Sequence, residues 1–306
     1  MGRPTAPPTA TTPPAEGTAS TLDHSRVEAL MASVTELPTL PAIATRVSAV
    51  ARDPDSTVRD MAAVISQDQA LTANLLRVVN SAYFGFIRRI SSVFEAINLL
   101  GYNEVVKMAF TVAVIHELDY DSSNHFDRNA FWTHAVCVAN ASQALAEQLH
   151  CAPRDDAFTA GLLHDMGKLI LDQFFPEAFG EILQLINDEG LTSCEAEMGR
   201  LGTTHAQIGE WIARSWLLPE AAIATIRHHH EAAETRCGLP NSGDPIVDVV
   251  QFADLLCRSE GLGHSGDPAR PDLPERPLAH LGLDPDSLDP LRARLAEVAE
   301  EISAFF

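Results

Sequence analysis

Apolar side chains in this chain recur with the spacing of a helix face and almost never with the alternation of a strand. Leu71, Leu75, Leu76 and Val79 follow the i, i+4, i+5, i+8 pattern that gathers side chains on one helical stripe. Pro41 is placed in the first turn of a helix through Val47 and Val50, where its missing N–H costs nothing. Asp53-Pro54-Asp55 ends that helix, and Ser56 is the expected N-cap of the next, through Met61, Val64 and Ile65. Ser91 or Ser92 is expected to cap a short helix through Ala96, Leu99 and Leu100, which Gly101 ends, and another helix covers about 103–117. Beyond a polar stretch at 119–129, helices are expected over 130–149, 155–174, 176–188, 192–199, 204–215, 219–230 and 245–258. No repeat of fixed period is visible. The expected fold class is all-α.

The segments implied are a Pro/Thr/Ala-rich tail over 1–22, one helical lobe over 27–118 and a second over 130–258. A Gly/Pro/Asp-rich loop follows over 259–278, then a closing segment over 279–306 whose helix, from Asp289 to Phe305, packs back on the body. The tail has little to bury and reads as disordered or polyproline-like. With 306 residues and 46% hydrophobic content the chain can bury one large core or two modest ones. Its 21 basic and 42 acidic residues give a net charge of −21, which disfavours direct binding to nucleic acid or anionic lipid. Five cysteines, Cys137, Cys151, Cys194, Cys237 and Cys257, form no CxxC and read as reduced thiols. No apolar run is long enough to span a membrane, and no signal-peptide core is present. A cytoplasmic location is expected.

Against this bland background stands one constellation: His134, His164-Asp165, His205, His229-His230 and Asp254. Apart from the two adjacent pairs, each member lies on a different expected helix, which is how bundles project metal ligands inward. The centre is Gly161-Leu162-Leu163-His164-Asp165-Met166-Gly167-Lys168, with His164 and Lys168 expected on one helix face. His205 opens a helix beginning at Thr203 or Thr204, and His228-His229-His230-Glu231 ends another. Imidazole with carboxylate suits Fe, Mn or Zn, as one ion or two. Each member also has an ordinary reading. His134 on an apolar helix is more often a hydrogen-bonded core histidine. A histidine run at a helix C-terminus is favoured by the dipole. Asp254 is four residues from Arg258, a ready partner.

The run GLLHDMGKL, in this order among the other members, resembles the HD superfamily of metal-dependent phosphohydrolases. The first half narrows the resemblance. Leu37-Pro38-Thr39-Leu40-Pro41, Ile65-Ser66-Gln67-Asp68-Gln69-Ala70-Leu71-Thr72, Leu75 through Phe84, and Ala96-Ile97-Asn98-Leu99-Leu100-Gly101 resemble the HDOD (HD-related output domain) family, over about residues 30–260. The resemblance implies an N-terminal helical lobe packed on an HD-like helical bundle, and a bacterial signalling output module with a degenerate catalytic centre. By analogy with HD-GYP relatives, His134, His164, Asp165, His205, His229, His230 and Asp254 would be metal ligands and Lys168 would face a phosphate. Two departures weigh against cyclic-dinucleotide hydrolysis. Ala-Ala-Glu-Thr follows His229-His230-Glu231 where those enzymes have Gly-Tyr-Pro, and Ala130 stands where they often carry a carboxylate.

Two functions follow as expectations. In the first, a non-enzymatic module engages a signalling protein through Asn80, Ser81, Tyr83 and Phe84, with the second lobe a metal-stabilised scaffold. In the alternative, a metal-dependent phosphohydrolase acts on a nucleotide or cyclic nucleotide, a small phosphorylated ligand. Asp165 then holds or bridges metal and Lys168 neutralises phosphoryl charge. A metal or redox sensor would join the two. No arginine cluster supports substrate recognition; Arg154, Arg200, Arg214 and Arg227 are the nearest in sequence.

Overall fold

The computed structural model describes residues 26–32, 34, 41–80, 86, 88–118, 126–232, 235–236, 245–267, 271, 273 and 281–305. Among these there are helices and no strand, so the chain is all-α. The tail expected over 1–22, and Ser81, Tyr83 and Phe84, lie outside the described residues.

The N-terminal lobe contains α1 (Ala42–Arg52), α2 (Val58–Ser66), α3 (Gln69–Val79), α4 (Val93–Leu100) and α5 (Tyr102–Leu118). Pro41 is the residue before α1 rather than within its first turn. The cap of α2 is Thr57, not Ser56. Thr57 Oγ1 accepts from the Asp60 backbone N–H, and the Asp60 carboxylate accepts from the Thr57 N–H at 2.8 Å. Ser56 is engaged elsewhere, its hydroxyl donating to the Val50 carbonyl at 2.6 Å. Asp68 caps α3, and Ser92 rather than Ser91 caps α4. Asn80 is a brace. Its Nδ2 donates to the carbonyls of Leu76 and Ile90, and its Oδ1 accepts from the Ile90 N–H at 2.7 Å. The residue expected on a partner face thus has its amide engaged within the lobe.

The second lobe contains α6 (Arg128–Leu149), α7 (Arg154–Leu163), α8 (Met166–Phe174), α9 (Pro176–Glu189), α10 (Ser193–Leu201), α11 (His205–Ser215), α12 (Glu220–His228) and α13 (Pro245–Glu260); α14 (Asp289–Phe305) packs on α6. Asp127 caps α6, so this helix begins before the expected 130. It is the axis of the lobe, buried on nearly every side against α7, α13 and α14. Phe131 and Trp132 are fully enclosed, each worth about 1.5–3 kcal/mol of burial. One core runs without interruption from α1 to α14. At the seam, Lys107 of α5 donates to Gln143 of α6 at 2.8 Å and sits 5.2 Å from the Phe158 ring centroid. Arg128 donates to the Leu118 carbonyl and pairs with Asp172 at 2.8 Å. Among the described residues no helix is long and apolar enough to cross a membrane.

The largest departure from expectation is within 155–174. The single helix expected there is two, α7 and α8, with His164 and Asp165 at the break. Asp165 has φ −102° and ψ 9°, outside the helical region. The packing of α8 on α11 is extremely close. A Cβ added to Gly167 would lie 1.9 Å from the His205 carbonyl oxygen, so only glycine fits. His164 and Lys168 therefore do not share a helix face.

Candidate metal centre

The break turns the His164 and Asp165 side chains into the middle of the lobe, both buried. His134 comes from α6, His205 from the first residue of α11, His229 and His230 from the end of α12, and Asp254 from α13. The structure brings all seven into one cluster. His134 Nε2 lies 3.0 Å from Asp254 Oδ1, and His164 Nε2 lies 4.0 Å from the same oxygen and 3.4 Å from Asp165 Oδ2. Asp165 Oδ1 lies 3.1 Å from His205 Nε2 and 3.3 Å from His229 Nε2. His205 Nε2 is 3.0 Å from His230 Nε2.

Backbone and carboxylate acceptors fix which ring nitrogens face inward. His164 Nδ1 donates to the Gly161 carbonyl at 2.7 Å, and His229 Nδ1 to that of Ile226 at 3.0 Å. His205 Nδ1 donates to the Glu197 carboxylate at 2.7 Å, and the His205 backbone N–H donates to the same group. With the proton held at Nδ1, each Nε2 presents a lone pair to the cluster, the orientation that metal-binding histidines adopt.

The result is a buried concentration of negative ends. His164 Nε2 and Asp165 Oδ1 are enclosed and have no hydrogen-bond partner. The lone pairs of His205 and His229 converge on that Asp165 oxygen without a donor between them. Such a gathering is costly unless a cation completes it. The donors fall into two sets, His205, His229, His230 and Asp165 in one, and His134, His164 and Asp165 in the other. Within each set the ligand atoms lie within 4.8 Å of one another, and Asp165 belongs to both. Nitrogen and carboxylate donors of this kind suit Fe, Mn or Zn.

Burial alone would raise the Asp165 carboxyl, but the Lys168 ammonium beside it holds it well below the usual carboxylate range. Lys168 Nζ donates to Asp165 Oδ2 at 2.7 Å. Burial holds His229 below the ordinary imidazole value and, with His229 and His205 beside it, holds His230 well below, so both offer lone pairs at neutral pH. His230 stands at the rim, exposed as a residue while its ring lies against those of His205 and His229, and it opens onto a mouth of about 190 Å³ lined by Asp165, Lys168, Cys194, Asp254 and Arg258. Burial and the nearby Glu197 carboxylate raise the Cys194 thiol to about 12, leaving it protonated.

Several participants were not legible beforehand. Glu197, which orients His205, lies on the buried face of α10 with Ser193 and Ala196; an acid on that stripe was the available signal. Arg258, already expected as a partner of Asp254, is the arginine at the mouth. It donates to Asp267 at 2.7 Å and approaches Asp254 at 3.9 Å. The four arginines nearest in sequence are engaged elsewhere, as in the pairs of Arg214 with Glu210 and Arg227 with Glu231. The loop expected from 259 also contributes. Leu262 offers its carbonyl to His134 Nδ1 at 3.3 Å, and His264 N–H donates to the Ala130 carbonyl.

A family model described as HDOD domain matches residues 37–232. The crystal structure of an HDOD domain protein of unknown function from Geobacter sulfurreducens superimposes with a TM-score of 0.81 at 29% identity, covering 94% of this chain and 99% of that one. A putative signal transduction protein from Marinobacter aquaeolei VT8 gives a TM-score of 0.75 at 23% identity, over 93% of this chain and 65% of that one. An uncharacterized protein of Treponema pallidum (strain Nichols) is 27% identical over 231 residues, 74% of this chain; the match spans only 43% of that relative's length.

Proposed function

The chain belongs to the HDOD domain family, and from there we propose that it is a signal-transduction output module. In this reading the HD-like lobe holds a divalent metal as a structural or sensing element, and the N-terminal lobe engages a protein partner. His205, His229, His230 and Asp165 would hold one ion. His134, His164 and Asp254 would hold a second, with Asp165 between them.

The observation that carries this reading is the charge at the mouth. Lys168 is bound to Asp165 and Arg258 to Asp267, so each cation there is already held by a carboxylate. A phosphoryl group entering would also meet Asp165 and Asp254. Phosphoryl transfer needs preorganised positive charge facing the substrate oxygens. Here the side-chain charge is balanced internally, so any positive charge facing a substrate would have to come from bound metal alone, which suits a scaffold better than an enzyme. The net charge of −21 favours a protein partner over nucleic acid.

One observation favours a second reading, metal-dependent hydrolysis of a small phosphorylated ligand. Asp165 is common to both ligand sets, the place a bridging carboxylate would occupy. Metal bound there would supply Lewis acidity and an acidified water. Lys168 would then exchange part of its contact with Asp165 for a phosphoryl oxygen.

Elemental analysis of protein purified without chelators tests the shared premise. Fe, Mn or Zn is expected in the wild type and is expected to be lost from Asp165→Ala and His164→Ala. Metal retained in both variants would refute the ligand assignment. No turnover of bis(p-nitrophenyl) phosphate or p-nitrophenyl phosphate with any of the three metals is expected. Turnover that Asp165→Ala abolishes would overturn the module reading in favour of the enzyme.

A further inference from the structure

Three helices of the second lobe run between two places. At one end each delivers cluster residues: His164 and Asp165 follow α7, His205 opens α11, and His229 and His230 follow α12. Their other ends meet at a cavity of about 550 Å³ between the lobes. Asp156 stands there in the first turn of α7, Trp216 and Leu218 follow α11, and Pro219 precedes α12. The N-terminal lobe supplies the facing wall, with Arg52 from α1 and Phe110 from α5. A cavity of this size is typical of small-molecule sites at the junction of two bodies.

Two features bear on what the cavity takes. Leu217, which also lines the cavity, terminates α11 with φ +53° while the residue is 89% exposed. Its N–H donates to the Arg214 carbonyl, and that of Leu218 to the Ala213 carbonyl, which pins the left-handed conformation. Glycine is the usual residue at such a helix end, and a side chain there costs on the order of 1 kcal/mol. A strained, exposed leucine gains nothing inside the isolated chain. The second feature is charge. Arg52, exposed in the last turn of α1, and Asp156, half-buried in the first turn of α7, stand at the helix ends that their charges favour and line the same cavity from opposite lobes; among the described residues neither has an ion pair or side-chain hydrogen bond. Asp155, by contrast, is engaged by Gln143 at 3.2 Å, and Lys107 by Glu104 at 2.9 Å.

We infer that the inter-lobe cavity binds a zwitterionic small molecule with an apolar body, of amino-acid to dipeptide size. Its carboxylate faces Arg52, its ammonium group faces Asp156, and its body lies against Phe110, Trp216 and Leu217. An ion of one sign alone leaves the opposite charge of the lining unmatched. The three shared helices couple this site to the metal cluster, so that ligand and metal alter each other's affinity by the same factor. Only this coupling rests on the proposed metal-holding function; binding in the cavity does not.

Isothermal calorimetry on the full chain after chelator treatment separates the two. The probes are L-phenylalanine and L-leucyl-L-phenylalanine, with phenylacetate and phenethylamine as single-charge controls. Saturable binding of at least one zwitterion, tighter than either control, is expected. Arg52→Ala and Asp156→Asn are each expected to weaken it about fivefold. Leu217→Gly is expected to weaken it while leaving Tm unchanged or raised. No saturable binding of either zwitterion, equal binding of the controls, or indifference to both charge variants would overturn the assignment. Repeating the titration with Mn(II) is expected to shift the zwitterion Kd in the wild type and not in Asp165→Ala. An unchanged Kd in a protein shown to hold Mn(II) overturns the coupling, whereas a protein that holds no metal fails the proposed function and leaves the cavity result standing.

Discussion

At the scale of residues, the cluster depends as much on the groups that orient the histidines as on the histidines themselves. Glu197 is buried and holds both the ring and the backbone of His205, fixing Nε2 toward Asp165. Such outer carboxylates set the tautomer and basicity of the ligand they support. Glu197→Gln keeps the shape but removes the charge and allows the amide to turn. A fall in metal affinity of about 10–100-fold is expected, measured by competition with a chromogenic chelator, with the helical circular dichroism unchanged. An affinity equal to that of the wild type would show that His205 is not a ligand or that Glu197 does not position it. The seven cluster residues could be read from the sequence because the run His164-Asp165-Met166-Gly167-Lys168 and the resemblance it carries single them out together, where each alone has an ordinary reading. Glu197, the Gly161 carbonyl and the Leu262 carbonyl could not. Two of these are backbone atoms, which carry no residue identity, and Glu197 becomes a partner only once α10 lies beside α11.

At the scale of elements, short-range chemistry set most helix ends and packing overrode it where helices crowd. Thr57 won over Ser56 because its neighbour three residues on is an acid that completes a reciprocal cap. The split between α7 and α8 has a different origin. Nothing in Gly161 to Lys168 forbids one continuous helix, and periodicity alone favours it. The break accompanies the contact of α8 with α11 at Gly167 and turns Asp165 inward. Asn80 shows the same dependence in the N-terminal lobe. Its amide joins the end of α3 to Ile90, a bond that sequence spacing does not announce. Asn80→Ala strands the Ile90 N–H and the two carbonyls the amide serves, so a loss of about 1–3 kcal/mol is expected, measured as a lower urea midpoint at unchanged m-value. A stability within 0.5 kcal/mol of wild type, on the order of an ordinary surface substitution, would return Asn80 to the partner face.

At the scale of the whole molecule, the two lobes share one core and the candidate metal cluster lies entirely in the second. A ligand that binds only the folded chain stabilises everything that unfolds with it. Saturating metal, at about 100 times Kd, adds roughly 2.7 kcal/mol, or about 5 °C in Tm for a chain of this size. Differential scanning calorimetry is expected to show one transition that moves as a unit on metal addition. Two transitions, of which metal moves only one, would show that the lobes unfold independently despite the shared core.

The sequence by itself determined the all-α class, most of the helices and which residues are candidates for metal chemistry, because helical periodicity and caps are local and His and Asp are visible wherever they stand. Only the tertiary structure decided that Asp165 touches both halves of the cluster, that Arg258 rather than Arg154, Arg200, Arg214 or Arg227 stands at its mouth, and that Lys168 is bound to a carboxylate. It alone placed Arg52 and Asp156 on one cavity. These are relations between helices far apart in the chain, fixed by how closely backbones approach at Gly167 and by how one core is shared, and no pattern of spacing along a single helix carries that information.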